Sequence, residues 1–153
     1  MGFNLNRFTL FNDPNIHYMD LLEPILEWYT CPAGTVVLQQ GKPADYLYLI
    51  VSGSAQVSYK PYDGSPITVS HMEKGELFGW SAVVGSEHYT SSTIAIEPLE
   101  AIRVLGRDLR KFCAEHPEAG KDLLERLANS VSARWKDAKA QVKSILSQGL
   151  TNS

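Results

Sequence analysis

Apolar residues follow three successive spacings along this chain. From Phe8 to about Tyr29 they recur at three-and-four intervals, with Ile16, Met19, Leu22, Ile25, Leu26 and Tyr29 on one stripe. That period predicts an N-terminal helical segment over residues 1–30. Asp13-Pro14 reads as a cap and a first-turn proline, and Pro24 marks where the helix breaks or bends. Between Thr35 and Leu105 the period drops toward two. Short strands are predicted at 35–39, 46–52, 54–60, 67–72, 89–96 and 100–105, each bounded by turn residues. Ala55, Val57 and Tyr59 alternate with Gln56, Ser58 and Lys60, the pattern of a half-buried strand. Residues 61–66 carry Asp63-Gly64 at their tip and read as a hairpin connection. Many short strands closing on one another predict a sandwich or jelly roll over residues 31–106. Two helices follow at 107–115 and about 118–147, with Pro117 at the junction.

The last helix adds a second period. Leu124, Ala128, Val131, Trp135, Ala138, Val142 and Ile145 are separated by 4, 3, 4, 3, 4 and 3 residues. This is a heptad seam, narrower than the stripe of an ordinary core helix. It predicts a two-fold dimer through paired helices, with packing on the chain's own barrel as the alternative. Around the seam stand six cations (Lys121, Arg126, Arg134, Lys136, Lys139, Lys143) and four anions (Glu118, Asp122, Glu125, Asp137). The helix is therefore +2, and the rest of the chain carries −5 of the total −3.

Composition narrows the function classes. With 153 residues and 44% hydrophobic content, the chain is expected to form a single domain with a full core. Net charge −3 argues against direct nucleic-acid binding, which depends on clustered Lys and Arg. Cys31 and Cys113 lie far apart in no Cys-x-x-Cys or Cys/His pattern, so neither metal nor disulfide framework is expected, and a reducing cytoplasm is. No apolar run approaches the roughly 20 residues of a membrane span, and no signal-peptide pattern opens the chain.

Three ordered stretches carry a family resemblance: residues 31–35 (Cys-Pro-Ala-Gly-Thr), residues 41–57 (Gly-Lys-Pro-Ala-Asp-Tyr-Leu-Tyr-Leu-Ile-Val-Ser-Gly-Ser-Ala-Gln-Val) and residues 75–79 (Gly-Glu-Leu-Phe-Gly). Together they resemble the cyclic-nucleotide-binding domain of bacterial catabolite-activator-type regulators and protein-kinase A regulatory subunits, over about residues 8–147. Gly34, Gly41, Gly53, Gly75 and Gly79 all fall between strand signals, where positive φ or close backbone approach is needed. The resemblance implies a mainly β fold: a β jelly roll (double-stranded β-helix) with an N-terminal helical segment and two C-terminal helices, the second dimerising. It also implies a phosphate-binding cassette over Phe78, Gly79, Trp80, Ser81 and Ala82, continuing through His88, Tyr89, Thr90 and Ser91.

In that cassette the family places a Glu after the Phe-Gly for the ribose 2′-hydroxyl, and an Arg at the end of the loop for the cyclic phosphate. Trp80 and Tyr89 stand there instead, and Thr90 keeps the hydroxyl that assists phosphate binding. The family's base-contacting hydroxyls on the long helix align with Ala138 and Lys139. A buried phosphate without its guanidinium loses roughly 3–5 kcal/mol, about 10² to 10⁴ in affinity. The short helix expected near Trp80 offers amides worth only about 0.3–2 kcal/mol. Cyclic nucleotide is thus disfavoured in its usual pose, and no cofactor is otherwise expected. Two readings of Trp80 stay open. Its indole plugs an unused pocket, or it forms with Tyr89 an aromatic clamp for another ligand, with Ser81, Thr90, Ser91 and Ser92 as hydrogen-bonding groups. His88 offers a cation below neutral pH against a plainly solvated role.

Enzyme chemistry finds little support. A cupin-type metal site needs converging histidines and a carboxylate, and His71 alone lies on a predicted strand, with His17 and His116 in or near helices. No Gly-x-Ser-x-Gly elbow or Walker loop occurs, and Glu76 reads as a cassette residue. Six residues follow Ser147, against at least roughly 50 for a helix-turn-helix domain, so a complete DNA-binding regulator is not expected. The expectation is a non-enzymatic, dimeric effector-sensing module of unknown ligand, open to a protein partner. The alternatives are a ligandless scaffold and a weak cyclic-nucleotide binder.

Overall fold

The computed structural model of the chain describes residues 16–61 and 64–129. Its centre is strand β3 (Tyr46–Ser52), a near-continuous apolar run because both of its faces are covered. Leu47, Leu49 and Val51 point to a helix-side cluster, while Tyr48 and Ile50 point to a second cluster between the sheets. The other strands are β1 (Leu26–Cys31), β2 (Val36–Leu38), β4 (Ala55–Tyr59), β5 (Ile67–Met72), β6 (Leu77–Phe78), β7 (Ser92–Ala95) and β8 (Leu99–Leu105). They form two antiparallel four-stranded sheets, in the orders β1-β8-β3-β6 and β2-β7-β4-β5. The architecture is a jelly roll with flanking helices, as the turn-rich strand pattern implies. All five glycines named from the sequence take positive φ.

Four helices are described: α1 (Met19–Leu22), α2 (Ser81–Val84), α3 (Gly106–Glu115) and α4 (Pro117–Asn129). α1, α3 and α4 lay Leu22, Leu109, Phe112, Leu123, Leu124 and Leu127 on the outer face of the β3 sheet.

Two expectations need correction. Leu26 and Tyr29 are not helical. A 3₁₀ turn at Glu23–Ile25 carries Pro24 in its first positions, and the chain then extends into β1, paired with β8 from Leu26↔Val104 to Cys31↔Leu99. Proline withholds the N–H that an α-helix would need, and the β-branched and aromatic text that follows suits a strand. The sheet therefore begins at Leu26, ahead of the boundary drawn at residue 31, and residues 8–15 of the expected helix lie outside the described residues.

The second correction concerns the seam. Leu124 and Ala128 are buried within this chain's own helix-side cluster. The buried residues of α4 are Gly120, Leu123, Leu124, Leu127 and Ala128, a stripe of core width and not a strict seam. At its N-terminal end the packing-on-barrel alternative holds. Val131, Trp135, Ala138, Val142 and Ile145 lie outside the described residues.

Candidate functional site

The cassette begins where β6 ends. Phe78 stacks on Tyr48, ring centroids 4.8 Å apart and 7° from parallel, and fixes the exit of the strand. Gly79 follows at φ +89°, and a Cβ there would stand 2.5 Å from the carbonyl oxygen of Tyr46. Only glycine permits both the left-handed turn and that approach. The chain then enters α2, which closes on Gly85 in the left-handed region, and returns through an exposed loop to β7.

Tyr89 is 7% exposed and lies in the between-sheets cluster with Leu38, Tyr48, Val57 and Phe78. Its hydroxyl donates to the Tyr46 carbonyl oxygen at 2.7 Å and accepts the Tyr46 N–H at 2.8 Å. Its own N–H donates to the Lys42 carbonyl at 2.9 Å, and its carbonyl accepts the Gly41 N–H at 2.9 Å. Burial pushes the phenol up to about 12, against the lowering effect of its backbone hydrogen bond at Tyr46. Tyr89 is thus a buried tie between the end of the cassette loop, the Gly41–Lys42 segment and the start of β3. That start also holds α3, since the Gly106 N–H donates to the Asp45 carbonyl at 2.7 Å.

Trp80 is 1% exposed and belongs to the other cluster, with Leu47, Val83, Leu109 and Phe112, while also bordering the cassette cavity. Trp80 and Tyr89 therefore belong to different clusters although both line that cavity, and the one in the between-sheets cluster is Tyr89. Next to Trp80, α2 meets α3 at close range. A Cβ on Gly106 would overlap the Ala82 carbonyl, and the Arg110 guanidinium donates to that same carbonyl oxygen.

Among the nine cassette residues named from sequence, Phe78, Gly79, Trp80, Ser81, Tyr89, Thr90 and Ser91 line one cavity of about 10 Å³. That is room for about one water molecule. Ala82 faces α3, and His88 is exposed at the loop rim, bridged to Pro43. Leu38, Val57 and Thr93 complete the lining, which contains no charged side chain. Thr93 escaped the sequence reading, although alternation along β7 turns Thr93 and Ala95 inward. Tyr46, Gly106 and Arg110 also escaped it, because their roles come from long-range approach. Arg103, the guanidinium near Tyr46, is engaged: it pairs with Glu27 at 2.6 Å and lies 4.0 Å from the centre of the Tyr46 ring. No cluster of His, Cys, Asp and Glu suited to a metal ion occurs among the described residues.

Comparison with known proteins places these features in context. The family model of the cyclic nucleotide-binding domain matches residues 29–116. A CRP-like cAMP-activated global transcriptional regulator of Mycobacterium tuberculosis (strain CDC 1551 / Oshkosh) is 31% identical over 63% of this chain and 43% of its own length. Lysophospholipase NTE1 of Kluyveromyces lactis is 33% identical over 68% of this chain but only 7% of its own length. The crystal structure of a putative cyclic nucleotide-binding protein from Geobacter metallireducens GS-15 superposes with a TM-score of 0.71 at 25% identity, over 82% of this chain and 91% of that one. The chain thus spans less than half the length of either curated relative.

Proposed function

Because the chain belongs to the cyclic nucleotide-binding domain family, we propose that it is a non-enzymatic regulatory domain that relays the state of its cassette to its C-terminal helices, without taking cyclic AMP in the family's usual pose. The observation that carries this reading is Tyr89. At the position where the resemblance puts the phosphate-binding arginine, a buried neutral ring is tied by its hydroxyl to Tyr46. A phosphate placed there would meet no side-chain cation in the cavity lining, so its charge would be buried without a partner.

The relay runs along two contacts. Ala82, on the cassette helix, receives Arg110 and abuts Gly106, both on α3. Trp80 packs in the cluster that also holds α3 and α4 residues. An effector that moves α2 would shift α3 by differential contact with the two arrangements. Dimerisation through the chain beyond Asn129, a cytoplasmic location and an undetermined protein partner belong to the same proposal. No helix among the described residues is long and apolar enough to cross a membrane.

A second reading, a ligandless scaffold, is favoured by the roughly one-water size of the cavity that Trp80 and Tyr89 both line. Calorimetric titration of the whole chain with cyclic AMP and cyclic GMP tests the main proposal. Wild type should bind neither at micromolar concentration, and Tyr89→Arg should bind at least one. Micromolar binding of cyclic AMP by wild type, with altered hydrogen exchange in α3, would keep the relay but sink the account of the cassette. Unchanged exchange in α3 on binding any ligand at the cassette would sink the relay itself.

A further inference from the structure

Three hydroxyl-bearing residues of the cassette cavity are buried with no hydrogen-bond partner among the described residues. Ser81 is 6% exposed, Ser91 9% and Thr93 2%, and all three line the same small space. Within the described residues no hydrogen bond engages their hydroxyls, whereas Ser92, on the opposite face of the strand, receives the Gln40 N–H at 2.9 Å. Buried polar groups are seldom left this way in folded proteins, so three around one cavity point to an occupant outside the polypeptide. We propose that Ser81, Ser91 and Thr93 form a hydroxyl subsite that recognises one oxygen atom, alcohol or carbonyl, of an uncharged small molecule with an apolar body. The inference rests on the reading of the cassette as an effector site, and it names the chemistry of the effector.

Charge selects the class. The lining holds no charged side chain: beside the three hydroxyls and the exposed Thr90, its walls are Gly79, aliphatic Leu38 and Val57, and the rings of Phe78, Trp80 and Tyr89. The two nearby guanidiniums are committed, Arg110 to the Ala82 carbonyl and Arg103 to Glu27. An anion in this space would be desolvated with nothing to neutralise it, and so would a cation. Hydroxyls are both donors and acceptors, so three of them serve either a ligand alcohol or a ligand carbonyl. The space of about 10 Å³ suits a single oxygen in place of a water. The body of the ligand then lies against the Tyr89 ring, which must yield to admit it. This mode of recognition differs from ion pairing with a cyclic phosphate, and its polar contacts come from Ser81, Ser91 and Thr93.

The test uses probes that share a ring system and differ in charge: adenosine against cyclic AMP, and benzyl alcohol against benzoate. The whole chain is titrated with each and followed by amide chemical shifts. The uncharged member of a pair should bind about tenfold or more tighter than the charged one and should move the amides of Ser81, Ser91 and Thr93. Thr93→Val keeps the shape of the side chain and should weaken that binding about tenfold. Tyr89→Ala should strengthen it by opening the space. The subsite is overturned if the charged member binds as well or better, or if no probe binds either wild type or Tyr89→Ala. It is overturned equally if Thr93→Val leaves probe affinity unchanged and raises the melting temperature, since that hydroxyl would then serve no occupant. An uncharged probe that binds at these three residues without changing hydrogen exchange in α3 supports the subsite and sinks the relay. Binding of cyclic AMP alone, with that change, does the reverse.

Discussion

The two faces of the β3 sheet receive the two unusual aromatics of the cassette, and they use them differently. On the helix side Trp80 packs among apolar side chains of α3, α4 and the sheet and buries nearly all of its indole. On the barrel side Tyr89 adds a hydroxyl that satisfies both backbone groups of Tyr46, so part of its contribution is directional. One loop is therefore anchored twice, by packing against α3 and α4 and by hydrogen bonds to the start of β3. A cassette held in this way can keep its backbone form without charged anchors.

The largest effect should come from the packing anchor. Trp80→Ala removes a nearly fully buried indole from a close-packed cluster, at a cost of about 3–5 kcal/mol. Chemical denaturation would measure the loss. Hydrogen exchange should show protection falling in α3 and α4 before it falls in β4 and β5. Equal loss in both regions would mean that Trp80 supports the whole domain, and the contrast between the two faces would then fail.

That contrast was only partly legible in the sequence. The strand pattern, the hairpin at 61–66 and the five turn glycines announce the jelly roll, because alternation and positive φ are local properties. Pro24 announced a break, but the text on either side kept a helical spacing. The pairing of Leu26–Cys31 with β8, a long-range fact, decided for a strand. The heptad reading of α4 failed at Leu124 and Ala128 for a similar reason: two residues on a seam look the same whether the partner is another helix or the chain's own sheet. Within the cassette, the identities of Trp80 and Tyr89 mark departures from the pattern that the resemblance implies. They did not show which face each would choose, because that depends on how α2, through Ala82, is turned against Gly106 of α3.

The directional anchor should be weaker. Tyr89→Phe keeps the ring and removes both hydrogen bonds, leaving the Tyr46 N–H and carbonyl without that partner. A loss of about 1–3 kcal/mol is expected. Exchange should quicken in the loop around Gly41 and Lys42 and in residues 86–91, with α3 less affected than in Trp80→Ala. A stability change near zero would mean that water replaces the hydroxyl at little cost, and Tyr89 would then be an anchor through its ring alone.

The smallest effect separates the hydroxyl from the ring by pH. The Tyr89 phenol is held at about 12 in the folded protein, against 10.0 for an ordinary tyrosine, mainly by burial. A raised folded value means that between these limits the folded state binds more protons than the unfolded one, so stability falls as pH rises. The contribution is complete below pH 10 and is lost progressively toward pH 12. Tyr18, Tyr29, Tyr46 and Tyr48 are raised as well, so the total alkaline loss cannot be assigned to one residue. The difference between wild type and Tyr89→Phe isolates it, because the other four titrate in both proteins. That difference should be constant up to about pH 9 and should narrow by about 1 kcal/mol from pH 10 to 11. A gap that stays constant through this range would show that the phenol titrates alike in the folded and unfolded chains, which is incompatible with a hydroxyl buried against the Tyr46 backbone.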